Sequence, residues 1–271
     1  AAPAAGALRR LGAGGAAALS AALDAALTAS GPTADPWVHR LVAAVPRSPE
    51  RDDVLARHIR HRDLALGAAV LEALAGSEAA QGAVAADAEA ALVADARCAA
   101  WLLAVQEALV PVLGGEPADR ALRRAVADEL DLLRRRVGAG LAVRHGRRDL
   151  GDALRVLEDG TGEVGVAVET VEVVAGSAAA ALALPLLDRR PDPHERLDRL
   201  RDALPGAVGA SPPEDPVRVL VEAARGSTPS PWLRACALAA ASSRGAARRY
   251  DLAEPRRVED PVLAEQLAAV G

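Results

Sequence analysis

The stretch His61-Arg62-Asp63-Leu64-Ala65-Leu66-Gly67-Ala68-Ala69-Val70-Leu71-Glu72-Ala73-Leu74 indicates the fold of this chain. Asp63 is a typical N-cap residue, because its carboxylate accepts hydrogen bonds from the unpaired N–H groups of the first helical turn. The apolar run that follows mixes small and large side chains and predicts an amphipathic helix. Its Ala-lined face is suited to close packing against a neighbouring helix.

Three other stretches begin in the same way. Each places Asp or Ser before Pro, and Pro is tolerated at the first helical position because the N–H there is unpaired anyway. We therefore predict helices that start alike and recur along the chain. The three stretches are Asp35-Pro36-Trp37-Val38-His39-Arg40, Ser230-Pro231-Trp232-Leu233-Arg234-Ala235-Cys236-Ala237-Leu238 and Asp260-Pro261-Val262-Leu263.

Most of these helices follow another amphipathic helix, which predicts an α-solenoid of paired antiparallel helices. The predicted pairs are 14–29 with 35–46, 49–60 with 63–75, 147–159 with 162–175, and 214–225 with 230–242. Residues 77–113 and 116–146 predict two longer helices that form an inserted hairpin. The recurring small residues Ala69, Ala235 and Ala237 are expected where paired helices approach closely.

This pattern predicts four segments. They are N-terminal repeats over 1–76, the long hairpin over 77–146, central repeats over 147–204, and C-terminal repeats over 205–271. The last segment follows a linker rich in Pro and Gly over 205–216.

The composition favours helices and argues against several functional classes. All 32 basic residues are Arg and Phe is absent, as expected of a GC-rich genome, so Ala, Leu and Val must fill the core. The net charge of −5 argues against a dedicated nucleic-acid-binding protein. The longest uncharged stretch, Val173 to Leu187, is too short and too interrupted to span a membrane. We expect a cytoplasmic protein with reduced Cys98 and Cys236.

The helix starts resemble those of a known repeat family. Asp63–Leu74 and Trp232–Leu238 are similar to the second helix of HEAT repeats, in which the run D-P-x-V-R-x-x-A-x-x-A-L is usual. The resemblance implies an all-α, HEAT-like solenoid.

The order of the elements resembles a more specific group of proteins. Leu141–Gly146 (L-A-V-R-H-G), Ala153–Gly160 (A-L-R-V-L-E-D-G), Val166–Val174 (V-A-V-E-T-V-E-V-V) and Trp232–Leu238 (W-L-R-A-C-A-L) follow one another. This order is similar to the helical region of bacterial proteins that join a transporter-like domain, of the ATP/ADP-carrier or major-facilitator type, to HEAT repeats and often to a cyclic-nucleotide-binding domain. The Asn that is usual in the run matching Val166–Val174 is absent. The resemblance implies the regulatory part of a larger protein, on the cytoplasmic side of a membrane.

Few residues suggest chemistry. His58 and His61 are three apart and could share a metal, but the flanking arginines would repel a cation. We interpret them as surface histidines and predict no metal, cofactor or catalytic residue. The arginine clusters, of which Arg134–Arg136 is the longest, are interpreted as a solvated helix face balanced by nearby acids. Gly160–Gly165 has the look of a phosphate-binding loop but lacks its Lys, so we predict a turn.

Trp37 and Trp232 occupy matching places in two predicted repeats, each close to an arginine. Such positions first indicate packing between helices. Tryptophan and arginine are also the residues that dominate binding energy at interfaces, so Trp37, Arg40, Trp232 and Arg234 are our candidate partner contacts. We predict a non-catalytic scaffold for a protein or a neighbouring domain of the same polypeptide. The alternative is a helical-repeat enzyme such as a HEAT-like DNA glycosylase, which would need a basic, aromatic groove that this acidic chain supplies poorly.

Overall fold

The computed structural model describes residues 12–30, 36–61, 63–75, 77, 84–204, 213–222 and 230–244. Within these ranges the chain forms twelve α-helices and no β-strand, which confirms the predicted all-α class. The predicted helix start at Asp260-Pro261 and most of the predicted 205–216 linker lie outside the described residues. The helices are α1 Gly12–Ala29, α2 Pro36–Ala44, α3 Pro49–Arg57, α4 Leu64–Leu74, α5 Ala85–Leu109, α6 Pro117–His145, α7 Arg147–Asp159, α8 Val164–Ala175, α9 Ser177–Leu187, α10 Pro193–Ala203, α11 Pro216–Glu222 and α12 Pro231–Ser243.

Helix starts in the sequence are matched by hydrogen bonds in the structure. Asp63 caps α4, where its Oδ1 accepts from Leu66 N at 2.9 Å. Ser230 caps α12 in the same way, and Pro231 occupies the first turn. The predicted helix start at Asp63 and the predicted Ser-Pro start at 230 are thus confirmed.

The segment Gly160–Gly165 begins as a turn between two helices, as predicted. Gly160 ends α7 with a φ of 65° and Gly162 follows with a φ of 85°, a region that side-chain-bearing residues rarely adopt. The β-branched run that follows is helical and forms α8. Its valines therefore follow helical rather than strand periodicity.

The chain divides into two units. Unit 1 comprises residues 1–96 and 132–190, and unit 2 comprises 97–131 and 191–271. The long helices α5 and α6 each contribute residues to both units. The segment bounds that the sequence predicts do not coincide with this division and stay predictions.

Four helices at the start of unit 1 contact one another in a regular order. Helix α1 contacts α2 and α3, and α4 contacts α2 and α3. Their facing side chains form one core that includes Leu23 of α1, Val42 of α2, Leu55 of α3 and Leu71 of α4. Each buried aliphatic side chain of this size contributes about 1.5–3 kcal/mol.

Later in unit 1, α8 contacts both α7 and α9. The parts of α5 and α6 that belong to unit 1 are joined by ion pairs. Asp95 of α5 pairs with Arg136 of α6 at 3.0 Å, and Glu89 pairs with Arg144 at 3.2 Å. Glu89 precedes Asp95 along α5, whereas its partner Arg144 comes after Arg136 along α6, so the ion pairs run in opposite order along the two helices.

In unit 2, α12 contacts α11, and the small side chains of α12 are among its buried residues. Ala235 is 2% exposed and Ala237 is fully buried, as expected for close helix packing. Ala69 of α4 in unit 1 is only half-buried, so its side chain lies at the margin of the packed core.

Candidate partner-binding surface

Helix α2 buries one side and exposes the other. Val38 and Val42 are buried, whereas Trp37 is 49% exposed and Arg40 is exposed. Residues three, four and seven apart share one face of a helix, so Trp37, Arg40 and Ala44 lie on the same side of α2. A large aromatic side chain with half of its surface in water is a common feature of interface residues.

The same face of α2 leads into a cavity at the end of the helix, which we call the α2–α4 groove. Its volume is about 440 Å³, within the range of sites that bind small ligands or side chains. Four of its lining residues are alanines, and these short side chains leave the space open. The groove is lined by Val42, Ala43, Ala44, Val45, Pro46, Arg47, Arg51, Ala69, Glu72 and Ala73.

Arg51 forms the buried wall of the groove. It is 4% exposed, and its Nη1 lies 3.1 Å from Asp52 Oδ1. Its two Nη atoms reach the carbonyl oxygen of Ala73 at 3.5 Å, the outer limit of a hydrogen bond. Ser77 Oγ donates a hydrogen bond to the other carboxylate oxygen of Asp52. The pair therefore connects α3 to the end of α4.

The Arg51 guanidinium lacks part of its hydrogen bonding, and its charged form is destabilised by burial. Its Nε is buried and has no hydrogen-bond partner among the described residues. Burial lowers the pKa of Arg51; the Asp52 carboxylate opposes this, and the charge of Arg47 lowers the pKa further. Arg47 is exposed and also lines the groove. Two guanidinium groups therefore face one cavity.

Among the described residues that line the groove, Glu72 is the one carboxylate. Its Oε1 lies 2.8 Å from Nη2 of Arg135, and both side chains are close to half-exposed. This exposed pair contributes little to stability, but it neutralises the charge of Glu72. Arg47 and Arg51 therefore dominate the charge of the groove.

A second buried pair holds α4 in place. Arg136 Nε lies 3.0 Å from Asp95 Oδ2, and both side chains are less than one-tenth exposed. Arg136 Nη1 also donates to the carbonyl oxygen of His61 at 3.1 Å. The guanidinium lies directly against Gly67, with no room for a side chain there. This arrangement fixes the start of the helix that forms one wall of the groove.

The matching stretch in unit 2 is arranged differently. Trp232 is 55% exposed, like Trp37, but Arg234 is half-buried. The carboxylate of Glu129 accepts hydrogen bonds from Ser230 N at 2.9 Å and from Ser230 Oγ at 2.6 Å. Burial raises the pKa of Glu129, and these bonds and the charge of Arg234 oppose the increase. Arg234 thus acts on a buried carboxylate of α6, whereas Arg40 is exposed on α2.

His58 and His61, which we interpret from the sequence as surface histidines, are both partly buried and have hydrogen-bonding partners other than a metal. His58 Nε2 lies 3.0 Å from Asp24 Oδ1, and this bond lowers the pKa of Asp24. His61 Nδ1 accepts a hydrogen bond from Asp63 N at 3.1 Å. Across the described ranges, no three His, Cys, Asp or Glu side chains are grouped as a metal site would require.

The solvated-face interpretation of Arg134–Arg136 is wrong for two of the three residues. Arg134 is 8% and Arg136 is 5% exposed, and Arg134 Nε donates to the carbonyl oxygen of Leu186 at 2.7 Å. The sequence contains a signal for this, because Arg136 shares its helical face with the apolar residues Leu132 and Leu133, four and three positions before it. Arg51 gives the same signal beside Val54 and Leu55. An arginine in phase with an apolar stripe indicates a buried pair.

Both cysteines are thiols, as expected. Cys236 is buried in α12 and Cys98 is half-buried in α5. None of the helices in the described part of the chain has the length and apolar character that crossing a bilayer requires.

Comparison with protein-family models, with curated proteins and with solved structures finds no match.

Proposed function

We propose that this chain is a non-catalytic helical scaffold of the HEAT kind that binds a protein, or a neighbouring domain of the same polypeptide. One observation carries the proposal. The exposed Trp37 and Arg40 share the face of α2 that leads into the open α2–α4 groove. Tryptophan and arginine dominate binding energies at protein interfaces. A groove beside them would select partners whose side chains fit its shape.

The helix contacts of unit 1 support the repeat architecture. In stacked helix pairs, each helix contacts its own mate and the matching helix of the next pair. The contacts of α1 with α2 and α3, and of α4 with α2 and α3, follow this scheme. We interpret α1–α2 and α3–α4 as two successive pairs, with α2 and α4 as the helices that form the binding side. The opposite order of the ion pairs between α5 and α6 supports the predicted long hairpin.

The order of the sequence motifs supports a place for this chain within a larger protein. We propose that the chain is the regulatory part of a larger transporter-like membrane protein and lies on the cytoplasmic side. In that setting the partner of the groove is a domain of the same polypeptide or a protein that associates with it.

Site-specific photocrosslinking tests the scaffold proposal. The full chain is produced in its source cells with p-benzoylphenylalanine in place of Trp37, Trp232 or, as a control, Val173. Val173 is apolar and 83% exposed, so it measures what exposure alone produces. We expect a discrete protein adduct at Trp37, and a second at Trp232, but none at Val173. Identical adduct patterns at all three positions, or none at the tryptophans, would contradict the proposal.

A further inference from the structure

We infer that the α2–α4 groove binds a carboxylate from an acidic segment of the partner, held between Arg47 and Arg51. The inference rests on the proposed scaffold function and adds the chemistry of its ligand.

Arg51 has hydrogen-bonding capacity that the folded chain leaves unused. A guanidinium has five N–H donors. Arg51 uses one well on Asp52 at 3.1 Å, shares two long contacts of 3.5 Å with Ala73, and leaves Nε without a partner among the described residues. Nε itself is fully buried, so an incoming oxygen would accept from the Nη groups, whose contacts with the Ala73 carbonyl are long and weak.

The charges of the groove fit a single negative charge. Arg47 and Arg51 line the groove, and Asp52 neutralises one of them through its contact with Arg51. Glu72 is neutralised by Arg135. Among the described lining residues, one positive charge therefore remains, which one carboxylate would balance, whereas a phosphate dianion would leave an excess of negative charge. Arginine pairs well with carboxylates because its planar donors match the two oxygens.

The distance from Trp37 to the groove along α2 sets the spacing between the two side chains of the peptide that would bind there. Trp37 and Ala44 are seven residues apart, so they are separated by about 10 Å along the helix axis. An extended peptide covers this distance in about three residues. A segment with an apolar side chain about three residues from a glutamate would contact Trp37 while its carboxylate reaches the groove.

Fluorescence anisotropy of a short labelled peptide tests the inference. The peptide consists of Ser residues with one Leu and a Glu three residues later, and its analogue has Gln in place of Glu. We expect the folded full chain to bind the Glu peptide at least tenfold more tightly than the Gln analogue. Arg47→Gln should weaken binding of the Glu peptide about tenfold. Ala43→Glu, which places a negative charge at an exposed position of the groove, should weaken it similarly.

Arg60→Gln is the matched control, because Arg60 is an exposed arginine of the same unit that pairs with Asp87 at 2.9 Å. It changes the net charge equally, and we expect less than a twofold effect on binding. Circular dichroism confirms that each variant is folded before it is compared.

Three results would overturn the inference. They are equal binding of the Glu and Gln peptides (including no binding of either), equal losses for Arg47→Gln and Arg60→Gln, and stronger competition by inorganic phosphate than by acetate. Failure of the scaffold proposal is distinguishable from these. If photocrosslinks form at Trp37 while the chain binds the Glu and Gln peptides equally, the scaffold proposal is supported and the carboxylate site is contradicted.

Discussion

Replacing Gly67 with Ala should destabilise the protein, although alanine is ordinarily the better helix former. Gly67 is buried within α4. A Cβ added there would overlap Arg136 Nη1 and lie 3.1 Å from Arg136 Cζ and 3.4 Å from the carbonyl oxygen of His61. The flexible end of an arginine can often move aside. Here it is held by Asp95 at 3.0 Å and by the His61 carbonyl at 3.1 Å.

Two opposing effects determine the size of the change. Alanine in place of glycine stabilises a helix interior by about 1 kcal/mol. Displacing Arg136 leaves the Asp95 carboxylate buried without its partner, and loss of one partner of a buried pair costs about 3–5 kcal/mol. We therefore expect Gly67→Ala to lower the free energy of unfolding by about 2–4 kcal/mol.

Urea denaturation followed by circular dichroism measures this change. The matched control is Gly140→Ala, also in unit 1, because a Cβ at Gly140 meets no atom within 4 Å. That variant should be as stable as the wild type or more stable, by up to about 1 kcal/mol. If Gly67→Ala were as stable as Gly140→Ala, the buried Arg136–Asp95 pair would not constrain α4 as we describe.

Three further predictions concern Ala237, the two histidines His194 and His61, and Cys236. Ala237→Leu should lower the free energy of unfolding by about 1–3 kcal/mol in urea denaturation, because Ala237 is fully buried and the added volume overpacks α12. In an NMR titration, His194 should have a pKa above 6.5, because Glu107 accepts its hydrogen bond, and His61 a pKa below 6.5, because it is partly buried. The stabilisation from His194 is thus present below pH 6.5 and is lost as the pH rises through its folded pKa. Burial raises the pKa of the Cys236 thiol to about 11, so iodoacetamide at pH 8 should modify it slowly until urea unfolds the protein.

The sequence predicted helices well because their signals are local. Asp63 caps α4 and Ser230 caps α12 through bonds to residues three positions away, so the sequence alone contains both partners. Helix α10 was not predicted, although it has the same kind of local signal. The backbone N–H of Glu195 donates a hydrogen bond to the Asp192 carboxylate at 2.9 Å.

The Arg136–Asp95 pair and the groove cannot be predicted from the sequence, because both depend on contacts between residues that are far apart in the chain. Arg136 meets Asp95, which lies 41 positions away, and no local pattern identifies that partner. The groove exists because Ala43 and Ala44 of α2 face Ala69 and Ala73 of α4 across an open space. Sequence periodicity places each alanine on a helix face but does not show that the two faces leave a cavity between them.

The most direct test of the scaffold proposal is the affinity of the partner that is captured at Trp37. After purification, that partner is titrated against the wild-type chain, Trp37→Ala and the control Val173→Ala. Loss of a central tryptophan contact typically costs about 2 kcal/mol or more, so Trp37→Ala should weaken binding roughly 30-fold, and Val173→Ala should leave it unchanged. Equal affinities for all three proteins would show that this face of α2 does not hold the partner.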